Sequence, residues 1–226
     1  MVALPIYSIT PFTLLDYPDK TACIIWFAGC NMRCLYCYNT DIVDGKGKMS
    51  YDEALQFLVR RKGLLDGVVL SGGECTLHKK LPDFIAQIKN LGLKVKIDTN
   101  GSVPQLLESL VNDELIDYVA LDFKAMPNTF NIITQSNHFK KFEKSLNMLI
   151  KKEIAFEVRT TVHTNLISKR DLESMTNYLE DSGYMGAYYV QFFRNDTPTL
   201  YPLGRSLLTI DYCNIETRNV KVVFRG

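Results

Sequence analysis

The stretch Ala22-Cys-Ile-Ile-Trp-Phe-Ala-Gly-Cys-Asn-Met-Arg-Cys-Leu-Tyr-Cys-Tyr38 places a continuous apolar run directly before three closely spaced cysteines. The apolar run over residues 22–28 is typical of a buried parallel strand. Cys30, Cys34 and Cys37 then supply three thiolates, which suit an iron–sulfur cluster. Because a cubane cluster has four irons, three cysteines leave one iron open, and a small molecule can bind and react there.

Two other uses of cysteine fit the sequence less well. Structural zinc needs four ligands, and neither the remaining cysteines nor the three histidines show a matching spacing. A disulfide framework is typical of small secreted chains, whereas this sequence does not start with a signal-peptide pattern. The cysteines therefore favour a cluster with an open iron.

Length and composition indicate a globular protein without a strong charge field. The chain has 226 residues, 46% of them hydrophobic, and a net charge of +1. We expect a single domain over residues 1–226, with a core of about 20–194 and a C-terminal tail over 195–226 that covers the bottom of the barrel or contacts a partner. The charge balance argues against nucleic acid or membrane binding, and no apolar run reaches the ~20 residues of a membrane helix. A cytoplasmic location follows, since thiols stay reduced there.

Strand-like and helix-like segments alternate along the sequence. The predicted strands cover residues 22–28, 67–70, 93–97, 116–121, 154–162 and 187–193, and residues 220–224 are also strand-like. Helices are predicted after the capping box Ser50-Tyr-Asp-Glu53, before Gly92, after Ser102, over 139–150 and from Ser168 to about Gly183. About six βα units give either a doubly wound sheet or a parallel barrel.

The position of the chemical motifs decides between these two folds. Polar and cysteine motifs follow nearly every predicted strand, and in barrels that rim carries the active site. An open sheet instead concentrates its site at one switch point. A full barrel needs ~250 residues, so the sequence predicts an α/β fold that is a partial parallel (β/α)6 TIM-type barrel, open on one side.

The order of these motifs resembles that of a known family. Cys-x3-Cys-x2-Cys after a strand is similar to the cluster loop of radical S-adenosylmethionine (SAM) enzymes. Ser71-Gly-Gly-Glu74, Asp98-Thr-Asn-Gly101 and Leu121-Asp-Phe-Lys124 follow in the order of the glycyl-radical-enzyme activases. The opening Thr13-Leu-Leu-Asp-Tyr-Pro-Asp-Lys20 is also similar to theirs, most of all to the activating proteins of anaerobic ribonucleoside-triphosphate reductase.

The resemblance implies the cofactors and the reaction. Cys30, Cys34 and Cys37 would bind a 4Fe–4S cluster, and SAM would chelate the fourth iron through its amino and carboxylate groups. Reductive cleavage of SAM would give methionine and a 5′-deoxyadenosyl radical. That radical would take a hydrogen atom from a glycine of a partner enzyme. No catalytic residue is expected beyond the cluster and SAM ligands.

The same resemblance assigns SAM contacts to several residues. Tyr36 would lie near the adenine, although packing within the loop explains it equally well. Tyr38 stands where activases commonly have histidine, which leaves its role open. Gly72, Gly73 and Glu74 would meet the SAM ammonium group, since glycines permit close approach and Glu74 suits a cation. Cys75 replaces the usual proline and is expected to be a free buried thiol.

A monovalent cation beside the SAM carboxylate is also implied. Its ligands would be Asp98, Thr99, Asp122 and the carbonyl of Ala120, because such cations prefer oxygen. Helix capping by Asp98 or Asn100 is the alternative. Lys124 would contact the SAM carboxylate or the polypeptide substrate.

Strand alternation singles out Arg159. It shares a face with Glu157 and Thr161, and an arginine inside a barrel is costly unless paired. A ligand carboxylate or Glu157 would satisfy it, and a purely structural Arg–Glu pair remains an alternative. Gln191 and Arg194 are weaker candidates for SAM or substrate contacts.

Three functions are compatible with these features. The resemblance favours an activase whose partner is a glycyl-radical enzyme, the large subunit of anaerobic ribonucleotide reductase, with flavodoxin or ferredoxin as electron donor. A radical SAM enzyme acting on a small molecule or peptide, or the activase of another glycyl-radical enzyme, would use the same site. An iron–sulfur electron carrier or sensor would normally bind every iron with protein ligands and fits less well.

Overall fold

The computed structural model describes residues 4–152, 154–207 and 210–225. In chain order the elements are β1 (Ile6–Thr13), β2 (Ala22–Phe27), α1 (Thr40–Val43), α2 (Tyr51–Arg60), β3 (Gly67–Gly72), α3 (Leu81–Asn90), β4 (Lys94–Thr99), α4 (Pro104–Asn112), β5 (Tyr118–Asp122), α5 (Pro127–Thr134), α6 (Phe139–Lys152), β6 (Phe156–Val162), α7 (Lys169–Asp181), β7 (Ala187–Phe192) and β8 (Lys221–Arg225). Short 3-10 turns lie at Cys75–Leu77 and Ile210–Cys213.

The strands form one sheet in the order β1 to β8. β1 is antiparallel to β2, β2 to β4 are parallel, and β6 to β8 are parallel. In the described part of the chain the sheet does not close, because β1 and β8 stand at its two ends. The predicted α/β fold, a partial TIM-type barrel, is confirmed, and β2 to β7 are the six predicted strands.

The chain divides into two compact units. The first comprises residues up to 31, 41–99 and 103–120, and the second residues 32–40, 100–102 and those from 121 onward. The single-domain assignment stays a prediction.

Local sequence signals position the helices of the first unit. The predicted capping box is present at the start of α2: Ser50 Oγ accepts the Glu53 N–H, and the Glu53 carboxylate accepts the Ser50 N–H. α3 and α4 each begin with a proline in the first turn, where a missing N–H costs nothing. Ala54 and Leu58 of α2 are buried, whereas Val59 is 55% exposed.

Local sequence signals also position the elements of the second unit, which differs from the predicted elements in two places. α7 begins at a capping box between Ser168 and Asp171, and Gly183 follows its end with φ +83°. β6 begins at Phe156, two residues later than predicted, and α5 was not predicted. Aromatic packing forms much of its core, with the rings of Phe123 and Phe142 stacked 4.8 Å apart.

Among the helices that the structure describes, none combines the length and the apolar composition needed to cross a bilayer.

Candidate active site

The first cysteine lies in the first unit, in a bend after β2. Gly29 adopts φ +85°, a conformation that favours glycine, and its N–H donates to the Ile42 carbonyl at 2.8 Å. The Cys30 N–H donates to the Val43 carbonyl at 3.2 Å. The backbone of Cys30 is therefore held by α1.

The other two cysteines lie in the second unit and are held by backbone hydrogen bonds. Arg33 and Leu35 donate their N–H groups to the carbonyls at the end of α5, those of Thr134 and Ile133, both at 2.9 Å. The Cys37 N–H donates to the Cys34 carbonyl at 3.0 Å. The Cys37 carbonyl accepts the Leu200 N–H at 2.9 Å, so part of the predicted tail lies against this loop.

The chemistry of the donor set fits an iron–sulfur cluster. All three thiols are free of disulfides. Burial raises the pKa of Cys34 to about 11, so metal binding there would displace a proton. Within the described residues no three Cys, His, Asp or Glu side chains converge on one metal ion. A cubane does not need such convergence, because each cysteine binds a different iron.

Cys75 is fully buried, and its thiol lies 3.7 Å from the Asp98 carbonyl, to which it donates. Burial keeps its pKa well above the usual value. These properties agree with the expected free buried thiol.

Tyr36 and Tyr38 flank Cys37 but have different surroundings. Tyr36 is 4% exposed, and its hydroxyl has no hydrogen-bond partner among the described residues, while its ring lies 5.9 Å from Lys124 Nζ. An unpartnered buried hydroxyl fits a site that a ligand completes. Tyr38 instead stacks on Phe193 at 5.4 Å, and its Oη accepts the Arg194 N–H at 2.6 Å.

The glycine turn after β3 packs against the start of the cysteine loop. A Cβ on Gly73 would lie 1.9 Å from the Gly29 carbonyl oxygen, and one on Gly72 would lie 2.5 Å from the Phe27 nitrogen. The Gly73 N–H donates to the Phe27 carbonyl, and the Glu74 N–H to that of Gly29, both at 2.9 Å. Glycine is therefore required here by backbone packing, in addition to any approach to SAM.

Glu74 is fully buried in a hydroxyl network. Its Oε1 accepts the Thr76 N–H at 3.1 Å and the Thr99 hydroxyl at 2.8 Å. These donors stabilise an ionised carboxylate at this position.

Asp98, at the end of β4, already has a cationic neighbour. Lys96 Nζ lies 2.6 Å from Asp98 Oδ1, and the Ser71 hydroxyl donates to Oδ2 at 3.0 Å. The Lys96 side chain is only 2% exposed. Asn100 Oδ1 accepts the Ser102 N–H at 2.9 Å and closes a turn, but it does not cap α4, whose N-cap is Val103 without a side-chain hydrogen bond.

In the second unit, Asp122 bridges two cationic side chains. Lys124 Nζ lies 3.0 Å from one carboxylate oxygen, and Arg159 Nε and Nη2 each lie 3.0 Å from the other. Burial opposes the charged form of Lys124, but the Asp122 carboxylate raises its pKa well above the usual value. Arg159 thus pairs with a carboxylate at the end of β5, a pairing that the sequence did not predict.

These ion pairs bear on the predicted monovalent cation. Asp98 is paired with Lys96, and Asp122 with Lys124 and Arg159. Side-chain cations therefore already supply charge that a bound ion would otherwise provide, and the ion site stays a prediction.

Sequence reasoning missed two buried groups, one in each unit. Lys94, Lys96 and Asp98 alternate with apolar residues along β4, so the period of two places Lys96 on the face of Asp98. His163, fully buried after β6, lies 2.8 Å from the Gly204 carbonyl through Nε2 and packs edge-on against Phe193. No spacing in the sequence pointed to His163.

The last predicted residues lie at the ends of β6 and β7. Thr161 is opposite Gln191 in the parallel register, and both are half-buried. The Arg194 side chain is exposed and lies 3.7 Å from Asp196.

A mostly parallel α/β sheet with three free cysteines after its first parallel strand fits a protein that binds an iron–sulfur cluster. Residues 24–181 match the family described as the Radical SAM superfamily, which covers more than half of the chain. The chain belongs to the radical SAM superfamily, whose members use a 4Fe–4S cluster and SAM.

Two relatives are similar to this chain over more than half of its length. A protein of Methanocaldococcus jannaschii, named as a glycyl-radical enzyme activating enzyme, is 33% identical over 184 residues, which cover 77% of this chain and 75% of that protein. The pyruvate formate-lyase 1-activating enzyme of Escherichia coli K12 is 32% identical over 143 residues, 56% of this chain and 57% of the relative.

Among solved structures, Streptococcus suis SuiB bound to S-adenosylmethionine matches with a TM-score of 0.64 at 12% identity. The match covers 88% of this chain and 48% of SuiB. At that identity the likeness supports the fold alone, and this chain spans about half of that protein.

Proposed function

We propose that this chain is a radical SAM activase that generates a glycyl radical in a partner enzyme. The observation that carries the proposal is the 33% identity with a protein named for glycyl-radical enzyme activation, over three quarters of that protein. The order of the cysteine, glycine and aspartate motifs supports it.

In this proposal Cys30, Cys34 and Cys37 bind the 4Fe–4S cluster. A reduced cluster held by these cysteines would supply the electron for the reductive cleavage of SAM to methionine and a 5′-deoxyadenosyl radical. The Cys34 thiol gives up its proton when the metal binds, because only the thiolate is a ligand. The backbone bonds of Leu35 and Cys37 hold the loop in place for this purpose.

The remaining residues bind and orient SAM in this proposal. Glu74 and the glycine turn receive the ammonium group, and Asp98 and Thr99 lie beside the carboxylate together with the proposed monovalent cation, which Asp122 also binds. Tyr36 contributes an unpartnered buried hydroxyl. Lys124, Arg159 and Thr161 provide cationic and hydroxyl groups for the SAM carboxylate or the polypeptide.

We further propose that the partner is an anaerobic ribonucleotide reductase large subunit, with flavodoxin or ferredoxin as the electron donor, in the cytoplasm. The opening segment Thr13-Leu-Leu-Asp-Tyr-Pro-Asp-Lys20 favours this partner. The similarity to pyruvate formate-lyase activating enzymes supplies the competing partner class for the test.

Deuterium transfer tests the central claim. The anaerobically reconstituted protein is incubated with SAM, reductant and a candidate glycyl-radical enzyme carrying deuterated glycine. We expect deuterium in the released 5′-deoxyadenosine and a glycyl-radical signal in the partner. Cleavage of SAM without label from reductase or formate-lyase partners would refute the activase proposal and favour a small-molecule or peptide substrate.

Cysteine variants test the cluster ligands separately. Serine at Cys30, Cys34 or Cys37 is expected to abolish the SAM-responsive electron paramagnetic resonance signal of the reduced cluster. Cys213→Ser, at an exposed thiol outside the loop, is the matched control and keeps the signal. Loss of the same signal in Cys75→Ala would show that the ligand set is wrong.

A further inference from the structure

Hydrogen-bonding side chains form a row at the carboxyl ends of β6, β7 and β8. In the parallel register, Thr161 is opposite Gln191, and Gln191 is opposite Arg225. Side chains of directly opposed residues in parallel strands point to the same face of the sheet. Thr161, Gln191 and Arg225 are therefore neighbours at the carboxyl ends of three adjacent strands.

An aromatic ring orients the arginine of this row. The Arg225 guanidinium carbon lies 3.5 Å from the centroid of the Tyr189 ring. Tyr189 lies two residues before Gln191 on β7. This cation–π stack uses the flat face of the guanidinium and leaves its N–H edge available for a ligand. The stack also reduces the conformational freedom that binding would otherwise have to remove.

The charge of Arg225 is not neutralised by a carboxylate of the described chain. By contrast, Lys124 and Arg159 both pair with Asp122. Among the described residues, Arg225 has the Tyr189 stack and no ion pair, and the half-buried Gln191 lies opposite it in the register. The row therefore offers N–H and O–H donors and one positive charge that no carboxylate of the described residues neutralises.

The position of β8 indicates what kind of molecule brings the acceptor. β8 is the last strand of the sheet, so in the described residues its outer edge has no strand partner. An extended polypeptide can pair with such an edge through its main chain. Val222, Val223 and Phe224 are half-buried along it and give such a segment apolar contacts.

We propose that Arg225, with Gln191 beside it, binds an acidic side chain of an extended segment of the polypeptide substrate. This inference rests on the proposed function, since it assumes a protein substrate. A planar guanidinium binds a carboxylate through two parallel hydrogen bonds, and the Gln191 amide adds a third donor. Arg225 is thus a specificity-determining residue for the partner, separate from the cluster and SAM ligands.

Peptide binding tests the proposal directly. The probes are two fluorescein-labelled fifteen-residue peptides with a central glycine, one with glutamate and the other with glutamine at the flanking positions. We expect the cluster-loaded protein to bind the glutamate peptide about tenfold more tightly, which corresponds to about 1.4 kcal/mol. Arg225→Gln should abolish this preference, and Arg225→Lys should keep only part of it, since lysine lacks the planar fork.

Arg170→Gln is the matched control, because it removes one exposed positive charge from α7 in the same unit. It should keep the full preference. An unchanged preference in Arg225→Gln, or equal loss in Arg170→Gln, would overturn the proposal. The affinity for SAM is measured in the same variants. If Arg225→Gln binds SAM tenfold more weakly and keeps the glutamate preference, Arg225 binds the SAM carboxylate and the proposal is wrong.

The two proposals fail in different ways. If deuterium moves from a partner glycine to 5′-deoxyadenosine but wild type shows no glutamate preference, the Arg225 inference alone is wrong. If no glycine transfers deuterium, the activase proposal is wrong whatever the peptides show.

Discussion

Replacing Lys96 by methionine is expected to destabilise the protein by about 3 to 5 kcal/mol. The Lys96 side chain is 2% exposed, that of Asp98 is 13% exposed, and their charged atoms lie 2.6 Å apart. At an effective dielectric constant of about 20 the attraction is about 6 kcal/mol before desolvation is subtracted. Methionine fills a similar volume, so the change leaves the Asp98 carboxylate without this cation while the packing is retained.

Urea denaturation of the cluster-free protein, followed by circular dichroism, measures this change in the free energy of unfolding. Lys94→Met is the matched control on the same strand and face. Lys94 is 57% exposed and pairs with Asp117 at 2.8 Å, so its loss should cost less than about 1 kcal/mol.

The double variant Lys96→Met with Asp98→Asn separates charge from packing. Removing both charges should recover a large part of the lost stability, because no buried ion remains. A Lys96→Met protein within about 1 kcal/mol of wild type, or a double variant no more stable than the single one, would refute the reasoning.

Three further changes test other parts of the structure. Gly73→Ala places a Cβ 1.9 Å from the Gly29 carbonyl oxygen, so we expect lower iron content after reconstitution and a loss of about 1 to 3 kcal/mol; wild-type values would contradict this packing. Tyr38→Phe removes the 2.6 Å bond from the Arg194 N–H but keeps the ring, and should cost about 1 kcal/mol in urea denaturation and alter the cluster spectrum; an unchanged spectrum and stability would argue against an anchoring role. Hydrogen bonding from the Asn219 N–H, opposed by burial and aided by Arg218, lowers the pKa of Glu180 from 4.5 to about 2. The resulting stabilisation of the segment before β8 is complete above pH 4.5 and is lost as the pH falls through about 2. After correction for the intrinsic pH dependence of amide exchange, the protection of the β8 amides should fall over that window in wild type and less in Glu180→Gln; the same pH profile of protection in both proteins would disprove it.

The elements that the sequence predicted share a strong local signal. β2 is a continuous apolar run, and α2 begins at a capping box whose two reciprocal hydrogen bonds are present. Such signals act within a few residues and need no tertiary context. They are sufficient to place the strands β2 to β7 in order, and hence to predict the fold class.

β1 was missed because it depends on tertiary pairing. Its sequence, Ile-Tyr-Ser-Ile-Thr-Pro-Phe-Thr, does not alternate and contains a proline, which is tolerated on an edge strand. What holds it is the antiparallel register with β2, for example Ile9 opposite Ile25, and the bond from Trp26 Nε1 to Thr10 Oγ1 at 2.9 Å. Neither can be seen along one segment of sequence.

The site residues show the same division. Motifs identified Asp98 and Asp122, but their ion pairs with Lys96 and with Arg159 depend on which side chains share a face. The contact of the tail with the cysteine loop, through the Leu200 N–H and the Cys37 carbonyl, joins residues far apart in sequence. Such long-range pairings carry no local signature.

The cysteine loop illustrates why these non-local contacts matter for the proposed chemistry. The Cys30 N–H bonds to Val43, the Leu35 N–H to Ile133, and the Cys37 carbonyl to Leu200, and none of these three partners is a metal ligand. In zinc-finger domains the metal itself supplies the folding free energy, because no site exists without it. Here the backbone around each cysteine is fixed by neighbours, so metal binding has less ordering to perform. A loop fixed in this way can leave one iron without a protein ligand, because its conformation does not depend on side-chain ligation of all four irons.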